Sequence, residues 1–294
     1  MKNPYLIIFI TLVPIFMVSQ VKGVVLDSIS NEKIPYVNIW IENTKIGTTS
    51  NEDGTFKLET TGSVRTLVFS AIGYKTKRIN SDLTQVFFYL KPKISELDEV
   101  VIKVKKDTKE KRIEIFKKRK IHSAWAASPS IVAKLFKHKK EYDKTPFLKT
   151  VKILTRCRIK KGKFLLHIYA VNDKNEPGEL LHDENILVTA KKGKKNTEID
   201  VSKLNIQFPK NGLYIGLNSL KIESNKYEFT VTSLENNKVN MVFYEPTFGI
   251  TYSKEKSNDK LMRNGKVSDI SKMKLTHKKN VKHTTLAIEL VLSN

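Results

Sequence analysis

The stretch Thr48-Thr49-Ser50-Asn51-Glu52-Asp53-Gly54-Thr55-Phe56-Lys57-Leu58 sets the strongest constraint on this chain. It reads as a strand end, a polar turn closed by Asp53-Gly54, and a second strand with Phe56 and Leu58 on one face and Thr55, Lys57 and Glu59 on the other. The same period of two recurs on both sides: Val37, Ile39 and Ile41 against Tyr36, Asn38 and Trp40; Leu67, Phe69 and Ala71 against Thr66, Val68 and Ser70; Val86, Phe88 and Leu90 against Phe87 and Tyr89. Successive side chains that alternate in polarity suit a pleated strand with one buried face. Residues 21–90 are therefore expected to form a small antiparallel sandwich.

Four segments in fixed order carry a resemblance: Val21-Lys22-Gly23-Val24-Val25, Ile34-Pro35-Tyr36-Val37-Asn38-Ile39, the hairpin from Gly47 through Gly54-Thr55-Phe56, and Phe69-Ser70-Ala71-Ile72-Gly73-Tyr74. Together they resemble the carboxypeptidase-regulatory-like domain, widespread in secreted and outer-membrane proteins of Bacteroidota. The resemblance implies a seven-stranded transthyretin-like sandwich over residues 20–102 with no chemistry of its own. The following Leu97-Asp98-Glu99-Val100-Val101 is similar to the segment that leads into the plug of TonB-dependent receptors. Here no plug follows, nor the series of ten-residue alternating segments that a barrel needs. A last edge strand, or a peptide recognised by a partner, is expected instead.

With 294 residues and 40% hydrophobic content, the chain can fill two modest cores. Its 53 Lys and Arg against 30 Asp and Glu give +23, which points to an anionic partner. Met1-Lys2-Asn3-Pro4, an apolar run over residues 5–18 and Ser19-Gln20 read as a signal peptide over residues 1–19, cleaved near Ser19. Export to the periplasm, outer membrane or cell surface argues against nucleic acid. The single cysteine, Cys157, cannot close an internal disulfide and is expected to be a buried strand residue. That usage suits a Gram-negative envelope.

Residues 103–145 are expected to be a short basic α-helical connector. Ile113 and Phe116 give one thin apolar stripe. Ser128, Pro129 and the set Ile131, Val132, Leu135 and Phe136 predict a second helix with its cap, first turn and apolar face. Residues 103–161 hold 21 basic and 5 acidic side chains, +16 of the +23. Neighbouring lysines facing an anionic surface contribute about 1 kcal/mol each. The candidate surface-binding residues are Lys117, Lys118, Arg119, Lys120, Lys137, Lys139 and Lys140, and peripheral membrane association follows as an expectation.

Residues 146–294 return to short β segments, with turns placed at Lys160-Lys161-Gly162-Lys163 and at Lys191-Lys192-Gly193-Lys194-Lys195. Strand number and spacing predict a jelly-roll-like β-sandwich. The order Leu166-His167-Ile168-Tyr169-Ala170-Val171, Pro177-Gly178 and Asn185-Ile186-Leu187-Val188 is similar to jelly-roll modules on surface proteins of the same bacteria. Residues 245–283 are expected to be a long loop with one or two strands, a usual seat of recognition. The whole chain is thus expected to be all-β apart from its connector.

Chemistry is thinly signposted. His138-Lys139-Lys140-Glu141 matches the His-x-x-Glu spacing of a zinc pair, yet lies among lysines and lacks the scaffold for a third ligand and a base. The remaining histidines show no metal spacing, and neither a nucleophile elbow nor a phosphate-binding glycine loop is present. No catalytic, metal or cofactor residues are assigned. The sequence supports an exported, non-enzymatic envelope protein that binds a glycan, lipopolysaccharide or other anionic surface ligand. The alternative is an accessory subunit of an outer-membrane assembly, of TonB-receptor or secretion type.

Overall fold

A computed structural model of the protein describes residues 19–60, 66–80, 85–93, 108–117, 123–125, 129–233, 236–253, 256–270 and 283–294. Among them the chain is all-β, and helical backbone is confined to short 3-10 turns such as Lys140–Lys144. Of the expected leader over 1–19, residues 1–18 lie outside the described residues, as does the segment 97–102.

The first body is a sandwich of seven strands: β1 (Ser19–Asp27), β2 (Asn38–Ile41), β3 (Gly47–Thr49), β4 (Thr55–Thr60), β5 (Thr66–Ser70), β6 (Lys77–Asn80) and β7 (Phe87–Leu90). One sheet runs β4-β1-β7 and the other β3-β2-β5-β6. The alternation is realised directly: β4 buries Phe56 and Leu58 and exposes Lys57 and Glu59. At the turn, the Asp53 carboxylate accepts hydrogen bonds from the Thr55 backbone N–H at 3.1 Å and its hydroxyl at 2.6 Å. Phe56, Phe69 and Phe88 meet in the core, with centroids 4.9 to 5.9 Å apart, in the geometries aromatic rings prefer. Val86 precedes β7 and is exposed, although the alternation grouped it with Phe88.

The second body comprises β8 (Glu110–Ile113), β9 (Ser123–Trp125), β10 (Ser130–Phe136), β11 (Phe147–Val171), β12 (Pro177–Leu180), β13 (Ile186–Asp200), β14 (Leu213–Ser219), β15 (Lys226–Thr232), β16 (Lys238–Tyr244), β17 (Thr247–Ser253), β18 (Lys260–Arg263), β19 (Lys266–Asp269), β20 (His283–Leu286) and β21 (Ile288–Ser293). Twelve of these form one sheet with the path β19-β18-β10-β14-β11-β17-β20, and β12, β13 and β21 also pair with β11. The sheet wraps one apolar core that includes Val132, Phe136, Ile153, Phe164, Phe248 and Ile288. β15 and β16 stand apart as a two-stranded ribbon.

Three expectations are corrected here. Among its described residues the connector is not α-helical: β10 occupies the place of the second helix, paired with β14 on one edge and β18 on the other. Both of its faces are largely buried, so apolar Ile131, Val132, Leu135 and Phe136 fall on both faces of a strand, with Lys134 among them, and imitate helical spacing. Part of the first helix is strand β8, antiparallel to β21. The two lysine-glycine segments are not turns. β11 runs through Lys160-Lys161-Gly162-Lys163, β13 runs through Lys191-Lys192-Gly193-Lys194-Lys195, and each lies opposite the other. Three residues on β11 face one on β13 between the pairs Cys157↔Gly193 and Lys161↔Lys191, a bulge that bends the ribbon without ending it. Finally, the described residues of 245–282 hold three strands, β17, β18 and β19, and β20 begins at His283, where a long loop with one or two strands was expected over 245–283.

The bodies meet directly. Tyr36, at a left-handed φ of 60°, is buried against Leu165, Leu220 and Ile222 of the second body. Glu52 receives the Lys163 ammonium at 2.7 Å and the Ser224 hydroxyl at 3.1 Å. The Thr49 hydroxyl accepts from the Lys221 N–H at 3.2 Å, and the Asn264 amide donates to the Thr44 carbonyl at 2.8 Å.

Candidate functional site

The cations proposed from sequence do not form one site. Lys118, Arg119 and Lys120 lie outside the described residues, and Lys117 is exposed just before them. Lys137, Lys139 and Lys140 are exposed beyond the end of β10, where acids share the surface. Glu141 binds Lys111 at 2.9 Å, and Asp143 binds both Lys210 and, at 3.0 Å, His138. These partners hold both carboxyls below their ordinary range, the Lys111 hydrogen bond leading for Glu141 and the Lys210 hydrogen bond for Asp143. His138 and Glu141 thus turn to different partners instead of one ion. Among the described residues no three His, Cys, Asp or Glu side chains gather in metal-binding geometry.

The concentrated charge lies on the bent ribbon of β11 and β13. Residues 156–163 and 190–196 carry nine Lys and Arg and no acid. Arg156, Lys160, Lys161, Lys191, Lys192, Lys194 and Lys195 are exposed. The antiparallel register sets Arg156 opposite Lys194 and Lys161 opposite Lys191. Like charges directly opposite on a sheet are disfavoured, so this register gathers cations where pairing alone would not favour them.

Neighbouring residues fix its bend. Asn225 is fully buried; its amide donates to the Lys163 carbonyl at 2.7 Å and its oxygen accepts from the Lys163 N–H at 2.7 Å. Gly162 is required by close approach: a Cβ there would lie 2.8 Å from Cys157 Sγ and 3.1 Å from the Pro246 ring. Cys157 is buried, and burial raises its thiol pKa, which keeps it from being a reactive thiolate. The Arg158 guanidinium packs over Tyr227, Phe229 and Phe243 of the β15–β16 ribbon at 4.9, 5.4 and 5.1 Å from their centroids. It also reaches the buried Glu245 carboxylate at 3.0 Å. Burial raises the Glu245 pKa and Arg158 opposes that rise. Beyond these rings the same ribbon face exposes Met241, Val231 and Val239. The result is a cationic surface flanked by an apolar tip. The lysine-glycine runs that mark it were legible in sequence, but as turns.

The aromatics that alternate with the core positions of the first sandwich divide. Phe87 and Tyr89 are exposed on β7. Tyr36 and Trp40 pack toward the second body, and Trp40 lines a cleft there.

Residues 21–102 match the CarboxypepD_reg-like domain, so the family covers β1 to β7. No curated protein matches the chain. Among solved structures it is similar to the crystal structure of the cysteine protease and lectin-like domains of Cwp84, a surface layer associated protein of Clostridium difficile, at 10% identity and a TM-score of 0.40. That similarity covers 85% of this chain and 45% of the other, so the chain spans less than half of that structure's length.

Proposed function

We propose that this chain is an exported, non-catalytic binding protein of the bacterial envelope that holds an anionic surface ligand, a glycan or lipopolysaccharide, along the β11–β13 ribbon. The observation that carries this is the register that sets Arg156 against Lys194 and Lys161 against Lys191 in an acid-free stretch. A polyanion laid over the bend would meet cations from both strands at once, at facing positions of one ribbon. The exposed Val231, Val239 and Met241 beside it suit the apolar border of a lipid-linked polyanion.

The test is binding of the full chain to lipopolysaccharide and to an anionic polysaccharide, by titration at two salt concentrations. Changing Lys191, Lys192, Lys194 and Lys195 together to Gln is expected to weaken binding at least tenfold, since each engaged lysine contributes about 1 kcal/mol at an anionic surface. Raised salt is expected to do the same. Loss that follows instead from changing Lys137, Lys139 and Lys140 moves the site to the segment after β10. A second reading, an accessory subunit of an outer-membrane assembly, draws on β7: among described strands it pairs only with β1, and it exposes Phe87 and Tyr89 beside its open edge. A stoichiometric partner recovered from envelope membranes and lost on Phe87→Ser would favour it.

A further inference from the structure

A cavity of about 350 Å³ lies between the two bodies, walled by Trp40 and Ser70 on the sandwich side and by His167, Tyr169, Asn218 and Arg263 on the other. It shares no residue with the cationic ribbon. Buried polar groups in folded proteins are nearly always hydrogen-bonded. Among the described residues seven buried side-chain atoms have no hydrogen-bond partner, and four of them belong to this wall: His167 Nε2, Asn218 Oδ1 and Nδ2, and Arg263 Nε.

Asn218 and His167 are held by the sheet. Asn218, next to the end of β14, is paired between Ile131 of β10 and Leu165 of β11 and is 1% exposed. His167, 4% exposed, contacts the Tyr169 hydroxyl through Nδ1 at 2.6 Å. Tyr169 keeps its proton because burial raises its pKa, so its O–H can donate to Nδ1, and His167 then carries its own hydrogen on Nε2. Burial pushes the His167 imidazole down to about 3, so it stands neutral at ordinary pH. The wall then offers donors from His167, Asn218 and Arg263, an acceptor on Asn218 and an indole beside them. Arg263 and Lys266 line the cavity, and among the described residues no Asp or Glu does.

We infer that this cleft is a binding site for one saccharide unit, and that an acidic sugar is taken in preference to a neutral one. Hydroxyl groups are the common chemistry that both donates and accepts, as the Asn218 amide demands; the aromatic wall suits the apolar face of a sugar ring; and the unopposed Arg263 and Lys266 select a carboxylate. The orphaned atoms are the cost of keeping the site ready, as binding residues commonly are.

Saturation-transfer NMR on the full chain with glucuronate, glucose and N-acetylglucosamine tests this. Glucuronate is expected to show saturable binding at least tenfold tighter than glucose. Asn218→Leu is expected to abolish it while the Tm stays level or rises, because an apolar side chain of similar size removes two orphaned atoms. Arg263→Gln is expected to bring glucuronate down to the level of glucose, and the ribbon variant with four Gln substitutions is expected to leave it unchanged. No transfer to any of the three sugars, or transfer untouched by Asn218→Leu, overturns the inference and leaves the cleft to ordered water. So does a Tm that falls in Asn218→Leu, which would make the amide a structural group.

Discussion

At the scale of the residue, two buried groups state their own tests. Arg158 is the counter-charge of Glu245, whose carboxylate is 1% exposed, and it is also the filling between three rings. Arg158→Ala should destabilise the fold by about 3 kcal/mol, the cost of an uncompensated buried charge, read by urea unfolding. Arg158→Lys should fall between, since an ammonium keeps the charge but not the planar stacking. His167 gives a pH dependence. Its folded pKa, near 3, lies below the ordinary value of 6.5. The native state therefore binds fewer protons, its contribution is complete above about 6.5, and it is lost as pH falls toward 3, at about 1.4 kcal/mol per unit. Asp259 works the other way: burial, opposed by Lys134 and by hydrogen bonds from Leu286 and Thr285, raises it to about 6, so its contribution is present below 3.8 and lost as pH rises through 6. His167→Gln should accordingly flatten the loss of stability between pH 6.5 and 4.5, measured in urea at each pH, whereas Asp259→Asn should steepen it.

At the scale of the element, Gly162→Ala should cost about 1–3 kcal/mol, since the added methyl must displace Cys157 or Pro246 inside a packed bend. Thermal unfolding checks it. The elements also show what the sequence discloses. β2, β4 and β7 each bury one face, so Ile39, Phe56, Leu58, Phe88 and Leu90 announce their strands by alternation. β10 buries both faces, and its pattern carries no period that separates strand from helix. Lysine with glycine suggests a turn because that pairing is polar and permissive, yet Gly162 and Gly193 serve a bulge inside continuous pairing. Local chemistry was read correctly there; the partner strand that decides its use lies about thirty residues away along the chain.

At the scale of the whole molecule, the two bodies are joined by Tyr36, Glu52 and Thr49, and their contact creates the cleft. None of its orphaned atoms could be named from sequence, because His167, Asn218 and Arg263 come from three strands of one sheet, β11, β14 and β18, far apart along the chain, and the sandwich must then close over them. Tyr36→Ala should remove about 3 kcal/mol of packing at the joint. Scanning calorimetry should then resolve two transitions where the parent shows one; a single, merely lowered transition would mean that the bodies unfold together without that ring.

Most of what matters here is threaded on one strand. β11 passes from Val151 and Ile153 in the core, through the charged bend, past Leu165 at the joint, to His167 and Tyr169 at the cleft. Its pleat acts as a reading frame: one residue inserted before the bend shifts every later side chain to the wrong side at once. Between the core and the joint the pairing with β13 gives way only at residues 158–160, so recognition and joint must keep their phase together or fail together.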